Sequence, residues 1–220
     1  MVRIVDNGST DGTVEYLKSL NHPRIEKIIY NKTNCGLVKP TKDFWKESKF
    51  ELVGKIDNDI LVPNNWIEKL VDAHLKISIL GVIGFCHFRK EDFNNDVVKQ
   101  NVEDLNGVYI RRQPWIGGNY IVKRSTILQY RGYRQSRKLF NNRTFHGFTK
   151  YQKKLSDKGL IHGYLCDEKK NLLLWGHIDD PRNEHFQLNS NYSNRLVNNN
   201  IIDWYKQDAK QLLEDWKIDE

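Results

Sequence analysis

Val2-Arg3-Ile4-Val5-Asp6-Asn7-Gly8-Ser9-Thr10-Asp11-Gly12-Thr13 is the stretch that decides the fold class. Val2–Val5 reads as a buried strand, and Asp6 closes it. Ser9-Thr10-Asp11-Gly12 supplies turn and N-cap chemistry, and Val14, Leu17 and Leu20 follow at helical spacing. His22-Pro23 ends that helix, and Ile25–Tyr30 reads as the next strand. Strand, helix, strand in this order predicts a parallel pair and an α/β chain.

A second acidic motif, Asp57-Asn58-Asp59, lies about fifty residues on, between Leu52-Val53 and Ile60-Leu61-Val62. Glu51–Ile56 reads as the strand that carries it. Pro63-Asn64-Asn65 then starts a helix with Trp66, Ile67, Leu70, Val71, His74 and Leu75 on its apolar face. Open α/β sheets bind ligands at the carboxyl ends of their strands. Residues i and i+2 of an extended segment point the same way, so Asp57 and Asp59 are expected to grip one cation, or a cation and a ribose hydroxyl. Asp11 reads equally as a ligand and as a cap for the following helix.

Strands are expected at Ile79–Phe88, Gly107–Arg112, Ile116–Lys123, Leu160–Leu165 and Leu172–Trp175. Helices are expected at Ser125–Tyr130, Phe148–Lys158 and Ile201–Trp216, with a short one between Pro40 and Lys49. Lys90–Asp104 reads as a long polar loop.

The 220 residues are enough for one domain with its own core, and 39% hydrophobic with 29% charged residues describes a folded chain rather than a disordered one. A net charge of +7 favours anionic partners, among them sugar nucleotides, nucleic acid, phospholipid and acidic glycans. Arg131, Arg134, Arg137, Lys138 and Arg143 form a modest basic cluster, either a solvated loop or part of such a surface. Cys35, Cys86 and Cys166 have no short spacing, which argues against a zinc site or disulfide framework and for a reducing compartment. The opening residues do not read as a signal peptide, and no apolar run is long enough to span a bilayer.

In this order the segments resemble the family-2 glycosyltransferases of the GT-A fold. Val2–Thr13 is similar to their apolar strand running into Asp-Asn-x-Ser-x-Asp-Gly-Thr. Asn31-Lys32-Thr33-Asn34-Cys35-Gly36 is similar to their next loop, and Asp57-Asn58-Asp59 to their Asp-x-Asp metal motif. Trp115-Ile116-Gly117-Gly118-Asn119-Tyr120-Ile121-Val122-Lys123-Arg124-Ser125 is similar to their acceptor-side strand, and Gly132-Tyr133 to the Gly-aromatic pair that follows it.

The resemblance implies a Rossmann-like α/β domain of GT-A type, with a mainly parallel sheet flanked by helices and an irregular acceptor-side C-terminal half. It implies one domain, with residues 1–105 as donor half, 106–190 as acceptor half and 191–220 as a helical extension. The implied activity is metal-dependent, inverting transfer of a sugar, of hexosyltransferase type, in glycan or polysaccharide synthesis. The donor would be a nucleoside diphosphate sugar of UDP or GDP type, the acceptor a glycan, a lipid-linked hydroxyl or a protein, and the cofactor Mn²⁺ or Mg²⁺. Asp6 would contact the base, with Asn7, Gly8 and Asp11 completing that part of the donor site. Asp57 would lie near the ribose, Asp59 would bind the metal, and Gly117, Gly118 and Asn119 would pass close to donor sugar or acceptor.

Two departures from the family pattern stand out. The pattern opens one strand earlier, with a central strand expected to be absent here. The acidic pair that usually supplies the base is replaced by Thr144–Tyr151, where His146 is the one titratable base. His146 therefore reads as the general base or as a capping histidine. The late segment Trp175–Arg182 gathers His177, Asp179, Asp180 and Arg182. His177 is the first candidate to complete the metal shell and His185 the second. Asp179 or Asp180 is an alternative base, and Arg182 a phosphate clamp, unless the segment is only a polar turn. Trp115 reads as core or as a platform for a sugar face.

Two other readings stand beside this one: a nucleotidyltransferase, and a catalytically impaired basic module that binds nucleic acid or anionic glycan. Nucleic acid is not the expected partner. The expected location is cytoplasmic, with peripheral membrane association if the acceptor is lipid-linked.

Overall fold

The opening apolar run forms strand β1 (Val2–Asp6) in a computed structural model that describes residues 1–92, 94–134, 147–178, 180–183, 202–203, 205–207 and 209–211. Helix α1 (Thr13–Ser19) connects β1 to β2 (Ile25–Tyr30), and the two strands pair in parallel from Val2↔Ile25 to Asp6↔Tyr30. This is the expected strand–helix–strand unit.

Next come α2 (Val38–Glu47), β3 (Leu52–Lys55), the two-residue β4 (Ile60–Leu61), α3 (Trp66–Lys76) and β5 (Leu80–Gly84). The second half holds α4 (Asn95–Gln100), β6 (Val102–Leu105), β7 (Val108–Arg112), β8 (Tyr120–Lys123), α5 (Arg124–Gln129), α6 (Gly147–Ser156), β9 (Ile161–Cys166) and β10 (Gly176–His177).

Six strands form one sheet in the order β3-β8-β5-β9-β7-β6. It is mixed: β5 and β9 pair in parallel, while β8 runs antiparallel to both β3 and β5, and β7 antiparallel to both β9 and β6. All of β5 is buried, as suits a central strand covered on both faces. The strand pleat sorts its residues, and those of β8, between two cores. Val82 and Val122 join Trp45, Tyr120, Phe148, Tyr151 and Leu155 on the α2, α5 and α6 face. Ile83 and Ile121 join Leu70, Ala73, Phe85, Ile110 and Trp175 on the α3 face.

Among the described residues the β1–β2 pair makes no ladder with this sheet. Arg3 and Arg124 tie the parts together. Arg3 Nη1 donates to Glu47 Oε2 at 2.6 Å, at the end of α2. Arg124 donates from Nε to the Trp45 carbonyl and from Nη2 to the Lys46 carbonyl, both at 2.7 Å.

Three expectations need correction. Lys90–Asp104 is not a long loop but a 3₁₀ turn (Lys90–Asp92) followed by α4 and β6. Asn94 caps α4 by accepting from the Asp96 N–H at 3.0 Å, and Val98 and Val102 are buried. Asn106 and Gly107, at φ 57° and 75°, make the two-residue turn of a β6–β7 hairpin, the backbone that Asn-Gly favours. The strand expected from Ile116 starts only at Tyr120, because Gly117 and Gly118 remain in a loop. Leu172–Trp175 contributes two isolated bridges, Cys86↔Leu174 and Cys166↔Leu172, rather than a strand. Parts of the expected last helix are helical, at 202–203, 205–207 and 209–211, with Tyr205 and Ala209 buried.

Candidate active site

Asp6 ends β1 and is 5% exposed. Its Oδ2 accepts from the Gly8 N–H at 3.1 Å and from the Ser9 N–H at 3.3 Å. Hydrogen bonds from the Ser9 side chain and from these two N–H groups outweigh burial and hold the carboxyl below its usual range. Gly8 sits at φ 86°, which a side chain would strain, and a Cβ there would press on the Lys32 carbonyl and Thr33.

Asn7 ties this turn to the next loop. Its Nδ2 donates to the Gly36 carbonyl at 3.3 Å, and its Oδ1 accepts from Asn31 Nδ2 at 3.0 Å and from the Cys35 thiol at 3.2 Å. The N-cap position of α1 is Gly12, without a side-chain cap bond, and Asp11 closes a local turn before the helix, where its Oδ1 accepts from the Thr13 hydroxyl at 2.6 Å and the Thr13 N–H at 3.2 Å. The hydroxyl bond is the larger cause of its lowered pKa.

Asp57 follows the end of β3. The expected extended Asp57-Asn58-Asp59 segment is instead a turn, with the Ile60 N–H donating to the Asp57 carbonyl at 3.4 Å. The paired-carboxylate geometry of a strand therefore does not apply. The Asp57 N–H donates to Asn119 Oδ1 at 2.6 Å. Lys55 Nζ pairs with Asp57 Oδ1 and also donates to the Gly118 carbonyl at 3.1 Å. Gly118 lies directly against this carboxylate: a Cβ there would collide with Asp57 Oδ2, whereas a Cβ on Gly117 would meet nothing within 4 Å.

The short β4–β10 ladder brings Asp59 and His177 into neighbouring register. His177 pairs with Ile60, and the Ile178 N–H donates to the Asp59 carbonyl at 3.0 Å. The His87 ring lies 5.7 Å from the His177 ring, and burial, then the neighbouring imidazole, lower its pKa to about 3. The Tyr205 ring lies 5.6 Å from the His177 ring.

Asp180 is buried, and its carboxylate is taken by Arg182. Oδ1 accepts from the Arg182 N–H and Nε, both at 2.9 Å, and Oδ2 from Nη2 at 2.8 Å. Burial raises the Asp180 pKa, but these bonds and the Arg182 charge outweigh it, and the net shift is downward. Arg182 also holds Asp92 Oδ1 at 2.7 Å and Oδ2 at 3.0 Å. The sequence-based phosphate clamp is thus occupied by two carboxylates. His146, Asp179 and His185 lie outside the described residues.

Among the described residues no three of His, Cys, Asp and Glu are placed to hold one ion. A closed protein cage is not what Mg²⁺ or Mn²⁺ requires at a phosphate site, where one or two carboxylates share the shell with the substrate. The Asp59 carboxylate is of the oxygen type those ions take, and His177 stands in adjacent register to it.

Lys55 and Asp92 were not among the sequence candidates. Lys55 carries a readable signal, since it precedes Asp57 by two positions at a strand end. Asp92 carries none, because its partner lies 90 residues away, and the partner of Asn119, 62 residues back, was equally out of local reach.

The sequence model described as Glycosyl transferase family 2 matches residues 2–154, well over half of the chain. A comparison with curated proteins finds no match. No helix among the described residues is long and apolar enough to cross a membrane.

Proposed function

The chain belongs to glycosyl transferase family 2, and from that premise we propose that it moves a sugar from a UDP- or GDP-type donor to a hydroxyl acceptor, with inversion and with a divalent metal. Its mixed sheet flanked by helices is a GT-A-type α/β domain, and glycosyl transfer from a nucleotide sugar is the family's reaction. The observation that carries the finer reading is the convergence of Asp57, Lys55, Gly118 and Asn119 where β3 ends and β8 begins.

In this reading the Asp6 turn receives the base and Asp57 accepts from a ribose hydroxyl. Asp59 and His177 would hold Mn²⁺ or Mg²⁺. That ion, when bound, supplies Lewis-acid neutralisation of the leaving diphosphate. Gly117 leaves room for the reacting sugar near Asp57, while the space at Gly118 is taken by the Asp57 carboxylate itself. We assign the acceptor proton to His146 rather than Asp180, because Arg182 donates three hydrogen bonds to the Asp180 carboxylate and holds its charge.

The test is release of nucleoside diphosphate from a panel of UDP- and GDP-sugars with Mn²⁺, with and without chelator. Metal-dependent release is expected, together with a rise in melting temperature on adding UDP or GDP plus Mn²⁺. Neither release nor stabilisation with any of these probes would overturn the reading.

A further inference from the structure

Asp57 is held from three sides, and only one of those contacts comes from a charged group. Its N–H is fixed by Asn119, its Oδ2 rests on the bare Cα of Gly118, and its Oδ1 is paired with Lys55. The Lys55 side chain is 15% exposed and its ammonium also reaches the Gly118 carbonyl. An ammonium carries three donors, and this one spends one on the carboxylate of β3 and one on the loop before β8.

We propose that Lys55 is a positioning residue for the donor site. It fixes the Asp57 carboxylate in one orientation and locks it to the Gly117–Asn119 loop. The donor edge and the acceptor-side loop then move as one unit. The cation at Asp57 is thus a residue of the chain itself, and Asp57 meets the donor as a hydrogen-bond acceptor of fixed direction. This rests on the donor-site reading above and names a residue that reading does not use.

A double-mutant cycle tests it, with UDP and GDP plus Mn²⁺ as probes of binding and with the responsive sugar nucleotide as substrate. Lys55→Met is expected to weaken nucleotide binding and raise donor KM about tenfold, the size of one charge-assisted contact. The change in kcat should be much smaller, and Lys55→Arg should recover part of the loss. Lys55 acts through Asp57, so Lys55→Met should add less than about twofold on an Asp57→Asn background. The Mn²⁺ affinity of the nucleotide-free chain, read by electron paramagnetic resonance, should stay within about twofold in Lys55→Met.

The proposal is overturned if Lys55→Met leaves donor KM unchanged. It is equally overturned if the loss persists in full beside Asp57→Asn, which would make Lys55 a direct ligand contact. A wild-type chain that binds neither nucleotide overturns the donor-site reading and this one together. A wild type that binds, with Lys55→Met equal to it, overturns this one alone. Melting temperature without nucleotide separates either result from misfolding.

Discussion

The Gln152 carboxamide pairs with the backbone of Ile116 as a second strand would. Its Oε1 accepts from the Ile116 N–H and its Nε2 donates to the Ile116 carbonyl, both at 2.8 Å. Gln152 is fully buried on α6, and Ile116 immediately precedes Gly117 and Gly118. The loop beside Asp57 is therefore held by a side chain from a helix, at a point where it has no strand neighbour.

Gln152→Leu should leave a buried N–H and a buried C=O without partners. Each such group costs roughly 1–3 kcal/mol, so a loss on the order of 3 kcal/mol is expected in urea unfolding. Gln152→Glu keeps the acceptor and removes the donor, and its loss should fall between wild type and Gln152→Leu. Equal stability of all three would show that the pairing contributes nothing.

Gly118→Ala and Gly117→Ala should differ sharply. The added methyl at Gly118 meets Asp57 Oδ2 and lies near Lys55 Nζ, at 3.1 Å, while the one at Gly117 meets open space. Gly118→Ala is expected to lower donor turnover at least tenfold and to reduce the melting temperature, while Gly117→Ala keeps the wild-type melting temperature. Matching melting curves for the two variants would reject the close packing.

Acid should destabilise the fold through two buried imidazoles. Burial lowers His74 and His162 from 6.5 to about 4. The Val82 N–H donates to His162 Nδ1 at 2.8 Å, so Nε2 carries the proton and donates to the Gln152 carbonyl at 3.1 Å. The unfolded chain binds protons that the folded chain refuses as pH falls below 6.5. Stability is therefore complete above 6.5 and is lost down to about 4, with a ceiling of roughly 3 kcal/mol per site. Urea midpoints measured from about pH 7.5 to about pH 5 should fall more steeply for wild type than for His74→Gln. Identical slopes would exclude His74 as a contributor.

The Arg182 pairs should stabilise the segment next to His177. The Asp92 side chain is completely buried, and Arg182 Nη1 and Nη2 grip it. Arg182→Met strands that carboxylate and that of Asp180, and should cost on the order of 3 kcal/mol. Adding Asp92→Leu removes the stranded charge and should restore part of the loss. A double variant less stable than Arg182→Met alone would contradict this account.

Much of this was legible beforehand. Apolar runs closed by Asp6 and Ile56 announced β1 and β3, and the Ser9–Gly12 turn announced α1, because such signals act between neighbours in the chain. The Asp11 turn that precedes α1 was readable for the same reason. Asn106-Gly107 was an equally local hairpin signal, and following it would have revealed β6 within the stretch read as a loop.

The sequence by itself determined most of the elements, their order and the acidic motifs that stand where β1 and β3 end. Only the tertiary structure decided which distant groups meet Asp57 and Asp92. Asp57 meets Asn119 and Gly118 because β8 returns beside β3, and Arg182 reaches Asp92 across a separation of 90 residues. Periodicity and turn chemistry depend on adjacent residues and so survive in the linear pattern. A hydrogen-bond partner across a sheet depends on strand order, which no local pattern carries.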